Sequence, residues 1–322
     1  METFDELKTA IERLTLGENH AELTNNSQKI SDLYRSGSGC GKRLLTGEKE
    51  ALAYSVARMP ATLGAVSAAL RAALEFANCN PASLLDVGAG TGASAWAADA
   101  LLDLESIACL ERENVMLQTG MELMKESALA GKTKWMQHDL TIGKLSMAGD
   151  IVTASYVLNE LRREDRLRML EELWSAARML LLIVEPGTPE GCRQMLENRD
   201  ALIRLGAHIA APCPHSGACM MGESWCHFKC RVPRSRLHKQ LKGGDAPYED
   251  EKFTYIAVTR EKCRPAEARI IRHPYFDKGR VTLEVCTHNG ISKTVITKKD
   301  GELFKKARKA KCGDAIELHQ KS

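Results

Sequence analysis

The feature that most constrains the fold is the stretch LLDVGAGTG at residues 84–92, where an apolar strand runs into a glycine-rich turn. From this turn onward, apolar segments of strand length alternate with segments whose apolar residues recur at helical spacing. Five strand–helix units in this order predict a parallel sheet with helices on both faces. The expected strands are 83–89, 106–112, 133–139, 150–158 and 179–186, with two more at 207–212 and 253–260. The expected helices are 93–103, 113–130, 162–178 and 189–205.

Residues at the carboxyl ends of these strands predict a cofactor site. Ligands of open α/β sheets bind at that edge, and glycines let the backbone approach a ligand closely. The turn alone suits a nicotinamide cofactor as well. Glu111, 19 residues after Gly92, ends the second strand where a ribose needs an acceptor, and Asp139 ends the third strand where it suits an adenine amino group, unless it merely caps a helix. This set favours S-adenosylmethionine (SAM), with the predicted binding residues Asp86, Gly88, Gly90, Gly92, Glu111 and Asp139.

The expected fold class is therefore α/β, a class I SAM-dependent methyltransferase with a Rossmann-like, seven-stranded sheet. Its fourth strand ends in SYVLNEL, which places Asn159 and Glu160 where the methyl group would lie. They are weak catalytic candidates, because the Asp/Asn-Pro-Pro-aromatic loop that positions an exocyclic amine is absent and no cysteine follows this strand. Methyl transfer requires mainly alignment and, where needed, removal of a proton. The sequence thus supports SAM binding better than it supports catalysis.

Residues 212–230 read PCPHSGACMMGESWCHFKC and contain a dense group of cysteines, Cys213, Cys219, Cys226 and Cys230. Without a secretory signal, such a group predicts a metal or iron–sulfur centre more than disulfides. The spacing leaves the fourth ligand open between Cys230, Cys286 and Cys263, and all-thiolate ligation suits zinc or a [4Fe–4S] cluster alike. Three histidines lie close enough in sequence to replace a thiolate in a zinc site: His215, His227 and His288. Three other cysteines are interpreted as buried hydrophobic residues: Cys79, Cys109 and Cys192.

The charge of the chain is divided between its two halves. Residues 201–322 contain 24 Lys and Arg against 13 Asp and Glu, whereas residues 1–200 contain 21 against 29. Residues 231–242, RVPRSRLHKQLK, contain no acid, as expected for a surface that meets an anionic polymer. The predicted phosphate contacts are Arg231, Arg234, Arg236, Lys239 and Lys242. The run KKARKAK at 305–311 is interpreted as solvated lysines.

Three regions are expected along the chain: an N-terminal helical region at 1–78, the methyltransferase domain at 79–262 with the Cys/Arg-rich insertion at 212–250, and a small C-terminal β module at 263–322. The glycine-rich stretch 36–43 lacks the spacing of a phosphate loop. The N-terminus has neither a signal core nor transit-peptide composition, and no apolar stretch reaches membrane-spanning length. We therefore expect a bacterial cytoplasmic protein, monomeric and without membrane contact.

Several stretches together resemble a known family, the methyltransferase-like proteins associated with the small ribosomal subunit. The resemblance runs from about residue 30 to the C-terminus and rests on YSVARMPATLGAV, LLDVGAGTG, TASYVLNEL, IVEPGTPEG, AHIAAPCPHSGAC, WCHF, RVPRSRLHKQLKGG and YEDEKFTYIAVTR. It implies a [4Fe–4S] cluster held by four cysteines, which match Cys213, Cys219, Cys226 and Cys286, and it leaves Cys230 outside the ligand set. It also implies the small subunit and its rRNA as partners.

The leading hypothesis is a SAM-binding, iron–sulfur protein that acts on the small ribosomal subunit as an rRNA methyltransferase. One alternative is a non-catalytic assembly factor with a methyltransferase fold. A third hypothesis is a small-molecule methyltransferase with a zinc-stabilised lid, against which the basic second half of the chain argues.

Overall fold

The computed structural model describes residues 2–35, 45 and 47–318. The glycine-rich stretch 36–43 lies outside the described residues. Within the described residues, four helices precede the first strand: α1 (Glu2–Leu14), α2 (His20–Arg35), α3 (Glu48–Ala57) and α4 (Met59–Ala77). The helices are interrupted just before Pro60, because α3 ends at Ala57 with Arg58 as its cap and α4 begins at Met59 with Pro60 in its first turn. Proline is tolerated there because the first helical N–H groups have no intrahelical partner.

The alternating pattern forms the doubly wound sheet that the sequence predicts. The elements of this half are β1 (Ser83–Val87), α5 (Ala93–Asp99), β2 (Ser106–Glu111), α6 (Asn114–Met124), β3 (Thr133–Gln137), β4 (Gly149–Ser155), α7 (Arg163–Ala176), β5 (Ala177–Pro186), α8 (Pro189–Arg204) and β6 (His208–Ala211). The first five strands are parallel, in the order β3-β2-β1-β4-β5. The predicted helix 113–130 is shorter than expected: α6 ends at Met124, and a separate 3₁₀ turn spans Ala128–Gly131.

The sheet has eight described strands, so the predicted count of seven is wrong. The remaining elements of this region are β7 (Phe228–Pro233), α9 (Arg236–Lys242) and β8 (Tyr248–Thr259). β8 runs antiparallel to β5, and its other edge pairs with β6 at one end and β7 at the other. The sheet is therefore mixed. The local pattern conceals β7 because this strand forms only when the distant residues 248–253 supply its hydrogen-bonding partner.

Helices cover both faces of this sheet and bury its side chains on each. α4 packs over β5, β6, β7 and β8 on one face, together with the other N-terminal helices and α5. α7 and α8 pack on the opposite face, where Leu170 and Leu202 meet Val152 and Ile183. Because successive strand residues point to opposite faces, Leu181 and Leu182 enter different cores. Among the described helices, none combines the length and apolarity that crossing a membrane requires.

A smaller five-stranded antiparallel sheet follows, with its own core around Leu283, Ile296 and Phe304. Its elements are β9 (Ala268–Ile270), β10 (Tyr275–Asp277), β11 (Arg280–Thr287), β12 (Gly290–Thr297), α10 (Gly301–Ala307) and β13 (Ala315–Ile316). The strands of this region form the β structure that was expected at 263–322. The division at residues 78 and 262 remains a prediction, and the helical region shares a core with the main sheet.

One buried carboxyl group fixes the chain after β4. Glu185, near the end of β5, is 1% exposed and accepts a hydrogen bond from the Leu158 backbone N–H at 3.0 Å. Leu158 begins the short 3₁₀ turn that carries Asn159 and Glu160. Burial raises the pKa of Glu185 to about 8, against the opposing effect of the backbone N–H donors. The position of the two catalytic candidates thus depends on a carboxyl group that the fold prefers to keep protonated.

Replacement of this group tests its effect on stability. Because the folded pKa of Glu185 lies above the ordinary value of 4.5, the folded state holds an extra proton between those pH values, and its free energy of unfolding falls as pH rises towards 8. Each unit of pKa difference corresponds to about 1.4 kcal/mol. In Glu185→Gln, which keeps an acceptor for Leu158, we expect urea denaturation to show a smaller decrease between pH 5 and pH 8.

The matched control is Glu190→Gln. Glu190 is exposed on α8, and hydrogen bonds from Arg193 and Gln194 lower its pKa. This variant should keep the wild-type pH slope above pH 5. Equal slopes for wild type and Glu185→Gln would contradict the account of Glu185.

Candidate functional site

The glycine-rich turn after β1 forms the floor of a cleft. Gly88, Gly90 and Gly92 all have positive φ, at 70°, 57° and 90°, a conformation that glycine adopts without strain. A Cβ on Gly88 would lie 2.5 Å from Val157, so the turn needs glycine there for space as well. A Cβ on Gly90 would meet only Met116 at 3.8 Å and Tyr54 at 3.9 Å. The backbone at Gly90 is therefore open to a ligand.

Glu111 holds this turn from the end of β2. Its buried carboxylate accepts a hydrogen bond from the Gly90 N–H at 2.7 Å and another from the Glu113 N–H at 2.8 Å. Burial raises the pKa of Glu111, and these two backbone donors oppose that shift. The Arg112 N–H is a third backbone donor to this carboxylate. Because a carboxylate has about four lone-pair sites, one remains to accept from a bound hydroxyl group.

The cleft has a volume of about 780 Å³ and contains four of the six predicted cofactor residues. They are Gly88, Gly90, Glu111 and Asp139. The Asp139 carboxylate accepts hydrogen bonds from the Thr141 N–H at 2.9 Å and hydroxyl at 2.7 Å, so it also shapes its own turn.

The other two predicted cofactor residues do not line the cleft. Asp86 lies beneath the turn, 1% exposed, and accepts a hydrogen bond from the Thr153 hydroxyl at 2.7 Å. Burial raises its pKa to about 7. A Cβ on Gly92 would point at Met124 and Trp135, inside the core. Both residues therefore support the glycine-rich turn from the side opposite the cleft.

The catalytic candidates lie on two adjoining clefts. Glu160 lines the first cleft, and burial, followed by the charge of Glu111, raises its pKa to about 7. Asn159 lines a second, larger cleft of about 1380 Å³, where its buried Oδ1 has no hydrogen-bond partner among the described residues. Tyr54 and Tyr156 line both clefts, and sequence reasoning missed both residues.

Tyr156 is held in an unusual conformation between the clefts. Its φ is +57°, which is rare for a residue with a side chain. Its hydroxyl donates to Glu251 at 3.0 Å. A non-glycine residue in this conformation is typical of functional sites, where surrounding contacts compensate the strain.

The four predicted cluster cysteines line one cavity of about 600 Å³. Cys213 and Cys219 come from the turn after β6, Cys226 precedes β7, and Cys286 lies in β11 of the small sheet. Burial raises the pKa of the Cys286 thiol to about 11 and that of Cys226 well above its usual value. The cavity thus brings together thiols from both sheets.

Cys192 and His215 line the same cavity. Cys192 was interpreted as a buried hydrophobic residue, and it is indeed buried, but on the cavity wall. The His215 imidazole lies 3.8 Å from the Cys286 sulfur. Of the alternative ligands, four do not line the cavity: Cys230, Cys263, His227 and His288. As they stand, no three His, Cys, Asp or Glu side chains within the described ranges are arranged to hold a metal ion.

Two buried guanidinium groups support the cysteine cavity. Arg199 donates to the carbonyls of His215 at 2.9 Å and Gly217 at 2.6 Å, which fixes the turn between Cys213 and Cys219. Burial raises the pKa of the Cys213 thiol, and the charge of Arg199 opposes part of that rise. Arg269 donates to the Pro212 carbonyl at 3.1 Å. No local pattern separates these buried arginines from solvated ones, so sequence reasoning missed them.

The arginine run beside the cysteines is largely neutralised by the strand opposite. Arg231 pairs with Asp250 at 2.9 Å. Arg234 and Lys242 both pair with Glu249, at 2.9 and 2.8 Å. Arg236 and Lys239, the other two predicted phosphate contacts, form no ion pair within the described part of the chain. The register of β7 and β8 explains the Arg231–Asp250 pair, because it places these two residues opposite each other.

Comparison with solved structures gives weak, broad likenesses. A putative RNA methyltransferase from Pyrococcus horikoshii aligns with a TM-score of 0.40 at 14% identity, covering 73% of this chain and 96% of that one. The magnesium protoporphyrin IX methyltransferase of Synechocystis PCC 6803 with bound SAM aligns with a TM-score of 0.43 at 15% identity, covering 72% and 91%.

Sequence relatives are more informative. A family model described as mitochondrial small ribosomal subunit Rsm22 matches residues 48–317. The Homo sapiens "Ribosome assembly protein METTL17, mitochondrial" is 27% identical over 292 residues, which cover 82% of this chain and 62% of the human protein. The Schizosaccharomyces pombe "Rsm22-cox11 tandem protein 2, mitochondrial" is 25% identical over 334 residues, which cover 85% of this chain and 44% of the yeast protein. The chain thus spans less than two thirds of the length of these curated relatives.

These matches correct one prediction and confirm another. The family and both relatives are described as mitochondrial, which contradicts the expected bacterial cytoplasmic protein. The resemblance to small-subunit-associated, methyltransferase-like proteins is confirmed, because the family model covers most of the chain. The chain belongs to the Rsm22 family, the family of the mitochondrial small ribosomal subunit protein Rsm22.

Proposed function

We propose that this protein binds SAM in the first cleft and acts in assembly of the small ribosomal subunit as an rRNA methyltransferase. One observation carries the proposal: the first cleft, with its glycine turn and Glu111, adjoins a second cleft through the shared walls Tyr54 and Tyr156. A methyl donor and an acceptor would then occupy neighbouring spaces. The ribosomal destination is supported by the family match and by the name of the human relative.

The residues of the first cleft fit the cofactor. Glu111 has a lone pair left to accept from a ribose hydroxyl, and the open backbone at Gly90 admits the amino-acid portion. Asp139 lines the same cleft and is proposed to accept a hydrogen bond from the adenine amine. SAM, when bound, supplies an activated methyl group. The protein then has to align the acceptor and, where the acceptor carries a proton, remove it.

Asn159 and Glu160 are proposed to serve the acceptor. The unpartnered Oδ1 of Asn159 can accept a hydrogen bond from an amine or hydroxyl of the acceptor in the second cleft. Glu160, with a pKa raised to about 7 by burial, can take up a proton at its carboxylate near neutral pH. The 3₁₀ turn that carries both is anchored by Glu185.

We also propose that Cys213, Cys219, Cys226 and Cys286 hold a [4Fe–4S] cluster. All four thiols line one cavity, and all-thiolate ligation suits zinc or a [4Fe–4S] cluster alike. The choice of the cluster rests on the family resemblance. The buried charges of Arg199 and Arg269 would compensate the negative charge of four thiolates. The cluster's role is structural, since Cys286 alone comes from the small sheet.

Methyl transfer from labelled SAM to immature mitochondrial small subunits tests the function. We expect label in rRNA with the wild-type protein. Asn159→Ala should lower the rate of transfer by about tenfold, the equivalent of one hydrogen bond of about 1.4 kcal/mol. Its affinity for SAM should not change, because Asn159 does not line the first cleft.

The control variant is Asn80→Ala, an exposed residue in the loop before β1. It should transfer methyl groups like wild type. Absence of label with a wild-type protein that binds the particle would favour the non-catalytic assembly factor instead. Label found only in small molecules would favour the small-molecule methyltransferase.

The cluster is tested by purification without oxygen and analysis of iron and sulfide. Cys219→Ser should lose the brown chromophore and the bound iron, because three thiolates hold the cluster poorly. Cys230→Ser is the matched control, since Cys230 faces Gly64 away from the cavity and should leave the iron content unchanged. Stoichiometric zinc with neither iron nor sulfide in the wild-type protein would contradict the cluster.

A further inference from the structure

A groove on the small C-terminal sheet has the composition of a nucleic-acid site. It lies between the β10–β11 hairpin and α10 and has a volume of about 840 Å³. Its apolar wall is formed by Phe276, Val281 and Phe304. Phe276 is 47% exposed although it is a large apolar side chain. An aromatic ring left open in this way offers a face on which a planar group can stack.

Three cations line the same groove without an acidic partner in the described structure: Lys278, Lys298 and Arg308. The Lys298 backbone N–H donates to the Gly279 carbonyl at 3.2 Å, which anchors this residue against the hairpin turn. The Arg308 guanidinium lies 6.0 Å from the centre of the Phe304 ring. The fourth basic residue, Arg280, is paired with Asp277 at 2.7 Å.

The net positive charge of the whole small sheet also favours a nucleic-acid site. Residues 263–318 contain thirteen Lys and Arg against seven Asp and Glu. Three further lysines near the groove are exposed: Lys299, Lys306 and Lys309. The arginine run at 231–242, in contrast, has three of its five cations paired with β8. The small sheet therefore offers unpaired positive charge, and part of it lies in the segment 305–311, which was expected to carry only solvated lysines.

We infer that this groove binds single-stranded RNA, with a base stacked on Phe276 and phosphates at Lys278, Lys298 and Arg308. The inference rests on the proposed function, to which it adds the surface that meets the rRNA. Stacking needs an unpaired base, because a duplex covers the faces of its bases. An acidic protein would use the cations but gain nothing specific from the exposed ring.

The neighbouring residue extends the site to the outer face of the edge strand. Among the described strands, β10 pairs with β11 alone, and all three of its residues are exposed. Tyr275 is 68% exposed and lies opposite Thr282, which is itself opposite the exposed Val295. Because Tyr275 and Phe276 point to opposite faces, two successive bases can stack on either side of one strand.

Fluorescence anisotropy of the full chain with labelled oligo(U) and oligo(A) of about 12 nucleotides tests the inference, since such sites cover about 4–16 nucleotides. Phe276→Ala should weaken binding by about tenfold, and Phe276→Tyr, which keeps the ring, should bind like wild type. Lys298→Ala/Arg308→Ala should weaken binding and reduce the slope of log Kd against log salt by about 1.4, or about 0.7 for each phosphate contact.

The matched control is Lys134→Ala/Arg204→Ala, which removes two exposed cations from the main domain and should keep the wild-type salt slope. Thermal melting checks that each variant is folded. RNA binding that is equal in all variants would overturn the groove as its site. Variants that lose only particle binding would identify a ribosomal protein as the occupant and overturn it too. Methyl transfer that persists in either case would leave the proposed function intact.

Discussion

The site depends on the buried carboxylate of Glu111. It joins the turn after β1 to the start of α6 by accepting the N–H groups of Gly90 and Glu113. A carboxylate removed from water is destabilising unless hydrogen bonds replace the lost solvation, and here two backbone donors do so. The Gly88 and Ala89 N–H groups donate to Leu110 at 2.9 Å and close the same turn. Without the second strand, the turn would have no fixed shape.

A second constraint is the length of β8. This twelve-residue strand pairs with β5 along one edge and with β6 and β7 along the other. It carries Glu251, which accepts from Tyr156 between the two clefts, and Tyr255, on the wall of the cysteine cavity. The proposed methyl-transfer site and the proposed cluster site are therefore attached to one strand. A structural change in the cysteine cavity can therefore be transmitted through β8 to the second cleft.

Local sequence was sufficient for the parallel strands, the glycine turn and Glu111, because each depends on residues adjacent in the chain. The gathering of Cys286 with the other three cysteines came from the family resemblance and could not be derived from spacing. The pairing of Arg231 with Asp250 was invisible for a similar reason: it depends on the register of two strands joined by α9. Buried Arg199 and exposed Phe276 show the same limit. The sequence identifies these residues as a cation and an aromatic ring, but the tertiary packing determines which of them is buried and which is exposed.

Calorimetric titration of SAM into wild type, Gly90→Leu and Gly206→Leu tests the central claim most directly. Gly90 and Gly206 both have positive φ, so both variants carry backbone strain, but only Gly90 faces the first cleft. We predict that Gly206→Leu binds like wild type and that Gly90→Leu binds at least about tenfold more weakly, a difference of about 1.4 kcal/mol. Equal affinity in Gly90→Leu, or no binding by the wild-type protein, would contradict the assignment of this cleft to the methyl donor.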